Sequence, residues 1–263
     1  MYAFNYERPA NLAAAQALLA AGGNALAGGQ TMIAAMKQRL QQPETVVDLG
    51  AISTLAGIRK EGNAIVIGAM TRHQDVADNA EVRKHIPALA ALADGIGDKQ
   101  IRTMGTLGGS VANNDPAACY PSAVLALGAT VHTDQRTIAA DDFFQGLYTT
   151  ALKAGELITA ISFPIPQKSA YAKFRQPASR FALVGVFVAQ TTGGSRVAVT
   201  GAGNGVFRHP GLESALNTSF TPEAVAQVAI DASQLNADLH ASAAYRANLI
   251  SVQTQRAVKQ ANG

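Results

Sequence analysis

The sequence predicts an α+β fold, and three observations support this prediction. Short apolar strands alternate with helical stretches at the start of the chain, as in a small βαβ unit. In the last third, strand-like runs come first and helical runs follow, which is typical of an α+β domain. With 263 residues, of which 48% are hydrophobic and 15% charged, the chain has ample material for a packed core.

The opening residues 1–52 predict a first small domain. Asn11 is a typical N-cap residue, so a helix is expected to begin there and to end near the glycine pair at 22–23. A glycine loop then leads into a second helix over residues 31–40. Strands are expected at residues 4–6, 25–27 and 45–49.

Residues 53–166 predict a second domain that mixes strands and helices. Strands are expected around residue 58 and at 64–68, 130–132 and 157–163, and helices at 74–79 and 87–96. Pro164 ends the last of these strands, because proline cannot donate to a sheet ladder.

Residues 167–263 predict a small C-terminal domain of three antiparallel strands with helices. Gly193 and Gly194 are typical of a hairpin turn between the second and third strands. The strands are expected at residues 170–175, 183–190 and 196–201, and the helices at 210–216, 222–232 and 242–260.

Two glycine-rich segments are the strongest functional signal. The first is Ala27-Gly28-Gly29-Gln30-Thr31, and the second is Gly105-Thr106-Leu107-Gly108-Gly109-Ser110. Glycine allows close backbone approach to a ligand, and successive N–H groups in such turns bind anions, with Thr or Ser adding a donor. The first segment also leads into a helix start. Together they suit a pyrophosphate, although ordinary tight turns are the alternative. Neither matches the Rossmann or P-loop pattern.

The composition excludes several other functions. Cys119 is the single cysteine, so this chain can hold neither an internal disulfide nor a cysteine-ligated zinc or iron–sulfur site. The five histidines lack metal-ligand spacing, so no metal site is expected. The net charge of +3 is small and the basic residues are scattered, which argues against nucleic-acid binding. No hydrolase motif is present.

The sequence from Gly97 to Ala118, GDKQIRTMGTLGGSVANNDPAA, resembles the second flavin loop of the molybdenum hydroxylases. Residues 27–40, with the Val46-Val47-Asp48-Leu49 run that follows, resemble the first flavin loop of that family. Residues 173–182 and 199–208 match further on, so the resemblance covers nearly the whole chain in order. The chain is similar to the medium, FAD-binding subunit of the carbon monoxide, aldehyde and xanthine dehydrogenase family.

The resemblance implies a fold and a function. The fold would be a two-subdomain FAD-binding module of the vanillyl-alcohol-oxidase type, followed by the C-terminal domain. The chain would be an electron-transfer subunit of an oxidoreductase. It would take electrons from two 2Fe-2S clusters on a small partner subunit and pass them to an external acceptor. A large partner subunit would carry the molybdenum-pterin, giving a heterotrimer or a dimer of heterotrimers.

The resemblance also implies a set of cofactor contacts, with no catalytic residue on this chain. The two glycine segments would bind the pyrophosphate, Asp115 the ribose or adenine, and Lys173, Phe181, Leu157 or Ile158 the flavin surroundings. For Asp115 the alternative is a turn residue, for Lys173 a solvated side chain, and for Phe181 core packing. The implied contacts are Ala27, Gly28, Gly29, Gln30, Thr31, Met32, Ile96, Thr106, Leu107, Gly108, Gly109, Ser110, Asn113, Asp115, Leu157, Ile158, Lys173 and Phe181.

One position departs from the family pattern. Many relatives carry an acidic residue where this chain has Cys119, which puts a conventional contact there in doubt. Cys119 itself is expected to be a small buried hydrophobe.

Two other functions stay open. One is a self-sufficient flavin oxidoreductase on the same fold, and the other is a flavin-free assembly module. The first residues lack a signal-peptide pattern, and the alanine-rich stretches are too short to cross a bilayer. The chain is therefore expected in the cytoplasm, with peripheral association at the inner membrane face left open.

Overall fold

The computed structural model describes residues 1–263. The strands are β1 (Asn5–Glu7), β2 (Asn24–Leu26), β3 (Thr45–Asp48), β4 (Ile58–Glu61), β5 (Ala64–Gly68), β6 (Thr130–Thr133), β7 (Thr137–Ala139), β8 (Phe144–Gly146), β9 (Thr149–Thr150), β10 (Ile158–Pro164), β11 (Lys168–Arg175), β12 (Ala182–Thr191), β13 (Gly194–Thr200) and β14 (Phe207–Arg208). The helices are α1 (Leu12–Ala20), α2 (Met32–Lys37), α3 (His73–Asp78), α4 (Ala80–His85), α5 (Pro87–Asp94), α6 (Lys99–Arg102), α7 (Leu107–Asn113), α8 (Tyr120–Ala126), α9 (Ala140–Phe143), α10 (Pro210–Thr218), α11 (Pro222–Ala226) and α12 (Ala243–Asn262).

The first sheet has the order β1-β3-β2 with all strands parallel, as the βαβ pattern predicts. Asn11 caps α1 by accepting from the N–H of Ala14. Helix α2 is shorter than predicted, because Arg39 adopts a left-handed conformation with φ of 61°. The N–H of Leu40 then donates to the carbonyl of Ala35, which is a common way of ending a helix.

The second sheet is antiparallel, with the order β4-β5-β10-β6-β7. The apolar face of β5 and β10 buries Ile65, Ile67 and Phe163 in a core shared with helices α3, α4, α5, α7 and α8. Among helices α3 to α8, four lie where no helix was predicted, namely α4, α6, α7 and α8. A separate small hairpin is formed by β8 and β9.

The third sheet contains four antiparallel strands in the order β11-β12-β13-β14, rather than the predicted three. The additional strand, β14, is too short for an alternating pattern and follows a glycine-rich stretch, so the sequence did not reveal it. Helix α11 is also shorter than predicted. Asp231 lies in the turn after it, accepting from the N–H and hydroxyl of Ser233, where the helix was expected to continue.

Strand β12 is buried on both faces. Phe187 and Ala189 join the core around the second sheet, whereas Val184, Val186 and Val188 join the core under α10 to α12. The fully apolar run of β12 follows from this double burial. The architecture is thus mixed α/β with several sheets, which agrees with the predicted class in outline. None of its helices combines the length and hydropathy needed to cross a membrane.

Candidate functional site

The two glycine segments lie against each other. A Cβ atom added to Gly28 would be 2.6 Å from the Cα of Gly105 and closer still to the carbonyl oxygen of Met104. A Cβ added to Gly109 would lie 3.3 Å from the Cβ of Ala27. Backbone therefore meets backbone at this contact, and only glycine fits at position 28.

The first segment has free backbone donors. None of the N–H groups of residues 27–31 donates a hydrogen bond within the chain. Gly29 has a positive φ of 70°, which helps to turn these groups, and the Gln30 side chain donates to the carbonyl of Gly28. The segment is partly or fully exposed. A run of unpaired N–H groups in such a turn is suited to an anionic ligand.

The second segment is organised differently, because most of it is helix. Thr106 caps α7 by accepting from the N–H of Gly109 at 3.2 Å. The N–H of Leu107 donates to the carbonyl of Thr71, and that of Gly108 to the carbonyl of Ala69. The N–H of Gly108 is thus used by a tertiary contact and that of Gly109 by the helix cap, so neither is a free donor. A Cβ on Gly108 would lie 2.5 Å from that of Ala69, so this glycine serves close packing.

Two hydroxyls remain available along the second segment. The hydroxyl hydrogen of Thr106 and the side chain of Ser110 have no acceptor within the chain. Thr106 is buried and Ser110 is partly exposed on α7. These hydroxyls, and the N–H of Thr106, are the donors that this segment can still offer to a ligand.

His73 supports the second segment from behind. Its N–H donates to the carbonyl of Gly105, and its Nε2 lies 2.5 Å from where a Cβ on Gly105 would be. Its ring packs on Tyr120 at 5.3 Å, and its Nδ1 has no partner. Burial, and then the charge of Arg102, lower the pKa of His73 to about 4. His73 is thus neutral near pH 7, and no sequence signal indicated this position.

Asp115 lies where α7 ends. Its carboxylate accepts from the N–H of Ala117 at 2.8 Å and from the hydroxyl of Tyr148 at 3.2 Å. The neighbouring Asn114 is fully buried in a left-handed conformation and donates to the carbonyls of Gly146 and Thr149. Asp115 therefore has the turn role given as its alternative, and its partly exposed carboxylate remains an acceptor. Asn113 precedes this turn at the end of α7.

Two predicted residues, Ile96 and Lys173, meet at the turn that joins α5 to α6, and Phe181 follows Arg180, whose side chain donates to the Gly97 carbonyl of that turn. The ammonium of Lys173 donates to the carbonyl of Gly95 at 2.7 Å and contacts the sulfur of Cys119 at 3.4 Å, so Lys173 is not simply solvated. Phe181 is 49% exposed, so the core-packing alternative for it is wrong. Ile96 is partly buried at the edge of the main core.

Leu157 and Ile158 are buried in two different cores. Leu157 packs with Val47 and residues around it in the first sheet, and Ile158 joins the core of the second sheet. The preceding Glu156 is held by Arg136, whose hydrogen bond is the main reason why the pKa of Glu156 falls to about 2. The structure does not bring Leu157 and Ile158 into contact with the glycine segments.

Cys119 is buried, as expected. No group of three or more His, Cys, Asp or Glu side chains lies close enough together to hold a metal ion. The contact between the glycine segments offers backbone donors, hydroxyls and no carboxylate, which fits the pyrophosphate of a nucleotide cofactor. These features define a nucleotide-cofactor-binding protein.

Comparison with known proteins identifies the class more closely. Residues 2–166 match the family described as the FAD binding domain in molybdopterin dehydrogenase. The chain is 35% identical over 275 residues to the nicotine 6-hydroxylase medium subunit of Paenarthrobacter nicotinovorans, covering 98% of this chain and 97% of that protein. It is 35% identical over 285 residues to the carbon monoxide dehydrogenase medium chain of Afipia carboxidovorans, covering 98% and 96%.

A solved structure agrees with these relatives. A chain of carbon monoxide dehydrogenase from Hydrogenophaga pseudoflava superposes with a TM-score of 0.92 at 34% identity, covering 99% of this chain and 97% of that one. This protein therefore belongs to the family of FAD-binding medium subunits of the molybdenum hydroxylases. The predicted family, the FAD cofactor and the oxidoreductase class are confirmed. The names of the relatives also agree with a multi-subunit enzyme.

Proposed function

We propose that this chain binds FAD between its two glycine segments and works as the electron-transfer subunit of a molybdenum hydroxylase. It would take electrons from two 2Fe-2S clusters on a small partner subunit and pass them to an external acceptor. A large partner subunit would carry the molybdenum-pterin, in a heterotrimer or a dimer of heterotrimers. The family match and the relatives named as medium subunits support this proposal.

One observation carries the proposal. The unpaired N–H groups of residues 27–31 lie beside the point where Gly28 touches the backbone of Met104 and Gly105. Donors on one segment and a glycine wall on the other form a cradle that an anionic pyrophosphate can enter. A Cβ on Gly28 would collide with the backbone of Met104 and Gly105, and one on Gly109 would lie 2.9 Å from the Thr106 hydroxyl oxygen, so a side chain at either position would disturb the contact between the segments.

The residues of this chain then have different tasks. Residues 27–31, together with Met32 at the start of α2, would donate to the pyrophosphate, and Thr106 and Ser110 would add hydroxyls. Asp115 would accept from the ribose or adenine. Lys173, Phe181 and Ile96 would line the flavin end, with Leu157 and Ile158 as apolar support behind it. When bound, FAD supplies the capacity to accept electrons one at a time and release them.

The domain boundaries are part of the same proposal. Residues 1–52 and 53–166 would be the two FAD-binding subdomains of the vanillyl-alcohol-oxidase type, and residues 167–263 the C-terminal domain. The cytoplasm is the proposed compartment.

The test starts from the chain purified together with its partner subunits. Absorption spectra before and after denaturation measure the flavin content, and we expect about one FAD per chain from a single cradle. Anaerobic addition of the substrate of the large subunit should then bleach the flavin bands of the complex. The isolated, flavin-loaded chain should show no bleaching with the same substrate.

Two outcomes would overturn the proposal. Bleaching of the isolated chain by a substrate would favour a self-sufficient flavin oxidoreductase. A colourless chain that also fails to bind added FAD would favour a flavin-free assembly module. The sequence shows no obvious acid–base set, which argues against the first of these alternatives.

A further inference from the structure

The turn between α5 and α6 is held by three cations in succession. Lys173 donates to the carbonyl of Gly95 at 2.7 Å, Arg102 to that of Ile96 at 3.2 Å, and Arg180 to that of Gly97 at 3.3 Å. These carbonyls follow the C-terminal end of α5, where a helix leaves carbonyl groups unpaired and where positive charge is favourable. Each cation therefore donates to a carbonyl of this turn that accepts no backbone hydrogen bond.

Two of the three cations come from the third sheet and the loop that follows its first strand. Lys173 lies on β11, and Arg180 lies in the loop between β11 and β12. The two are joined, because the ammonium of Lys173 also donates to the carbonyl of Arg180 at 3.2 Å. Arg180 has a positive φ of 61°, which is unfavourable for a residue with a side chain and persists only where surrounding contacts fix it.

The ammonium of Lys173 connects both ends of the chain segment that carries the second glycine motif. Besides the carbonyl of Gly95, the ammonium of Lys173 contacts the sulfur of Cys119. Between these two points the chain forms α6, the Met104–Gly105 backbone that meets Gly28, and α7. A shift of the turn at 95–97 would be transmitted through the short helix α6 to that contact, since the N–H of Gly105 donates to the carbonyl of Ile101 in α6.

We propose that Arg180 is a positioning residue for the cofactor site. The Arg180 side chain fixes the turn at Gly97 from the loop between β11 and β12. It thereby keeps the second glycine segment in contact with Gly28. This inference rests on the proposed binding of FAD between the segments. It assigns to the loop between β11 and β12 a role in cofactor affinity, although the Arg180 side chain bonds to protein backbone.

The chain offers a matched control in Arg196. Like Arg180, it extends from the third sheet to a carbonyl at the end of a helix, donating to Leu125 at the end of α8. It also pairs with Asp141 and makes no hydrogen bond to residues 95–119. Loss of Arg196 should therefore weaken the packing between the sheet and the helices without moving the glycine segments.

The experiment compares Arg180→Met, Arg180→Lys and Arg196→Met in the full chain. Flavin fluorescence during titration of the FAD-free protein gives the Kd, and thermal unfolding without FAD gives the Tm. We expect Arg180→Met to raise the Kd about tenfold, equivalent to about 1.4 kcal/mol. Arg180→Lys should restore most of the affinity, because an ammonium can also donate to the Gly97 carbonyl. Arg196→Met should lower the Tm and leave the Kd within about twofold.

Three results would overturn the inference. They are an unchanged Kd in Arg180→Met, an equal rise of Kd in Arg196→Met, or no recovery in Arg180→Lys. If the wild-type chain binds no FAD, the proposed function fails instead, so the two failures are distinguishable. Should Arg180→Met not fold, Arg180→Gln with the same two measurements replaces it.

Discussion

The two glycine segments look alike in sequence and use glycine in opposite ways. In the first, residues 27–31 leave every backbone N–H without a partner and lie near the surface. In the second, the N–H groups of residues 107–110 are all engaged, and the backbone is buried from Gly105 to Gly108. The first segment supplies donors, whereas the second supplies a tightly packed wall against which those donors are held.

This difference teaches that a glycine motif does not by itself identify a set of hydrogen-bond donors. Gly108 is needed because Ala69 lies against it, and Gly28 because the backbone of Met104 does. The hydrogen bonds to the cofactor are expected to come mainly from the first segment. The second segment is expected to keep the first in place, so that binding depends on correct folding through the second. Variants that separate these two properties can therefore test the comparison.

The largest effect is expected from Gly28→Ala. Its Cβ would collide with the backbone of Met104 and Gly105, so the segments must separate, at a strain of about 1–3 kcal/mol. FAD binding should be lost, as measured by flavin content after purification. Gly193→Ala is the control, because a Cβ there meets nothing closer than 3.7 Å. Normal flavin content in Gly28→Ala would disprove the close contact between the segments.

The second effect concerns the pH dependence of stability. The pKa of His73 is about 4 in the folded chain, and an unfolded histidine titrates near 6.5. A lowered pKa means that the unfolded chain binds the proton more readily. Stability is therefore complete above about pH 6.5 and falls by up to about 3 kcal/mol as the pH drops to about 4.

Urea unfolding measures this loss at several pH values between about 4.5 and 7.5, the range over which His73 titrates in the unfolded chain. His73→Phe removes the titrating group and keeps an apolar ring beside Tyr120, so its stability should depend less on pH over the same range. Equal pH dependence in both proteins would mean that the buried ring of His73 is not the cause of the loss of stability at low pH.

The smallest effect is expected from a pair of threonine variants. Thr106→Val removes the oxygen that accepts from the N–H of Gly109, and loss of a helix cap of this kind costs about 1 kcal/mol. Thr31 precedes α2 without making a capping bond, so Thr31→Val should leave the free energy of unfolding unchanged. Chemical denaturation of both variants gives the comparison. Equal destabilisation by the two would contradict the different roles of the segments.

Local sequence signals predicted much of the fold. Asn11 caps α1 as expected. The hairpin between β12 and β13 forms where the glycine pair predicted it, but Thr192 and Gly193 are its turn residues and Gly194 begins β13. The helix through Gly108 and Gly109 was not predicted, because each glycine disfavours a helix by about 1 kcal/mol and buried contacts override that preference. Burial and neighbours decide such cases, and both depend on the tertiary structure.

The sequence predicted those parts of the candidate site that consist of neighbouring residues in the chain. The glycine segments stand out as motifs, whereas their contact with each other does not. Arg180 and Gly97 are 83 positions apart, and no local pattern links them. His73 likewise acquires its role only because β5 and α3 bring it beneath Gly105.

Strand β12 has a consequence for how the molecule folds. One of its faces covers helices that belong with the second sheet, and the other covers the C-terminal helices. The two cores therefore share a wall, and neither can lose that strand without exposing apolar surface on the other. Residue 166, where the matched family region ends, is a boundary of sequence similarity. We therefore expect the two cores on either side of β12 to gain and lose their order together, as one cooperative folding unit.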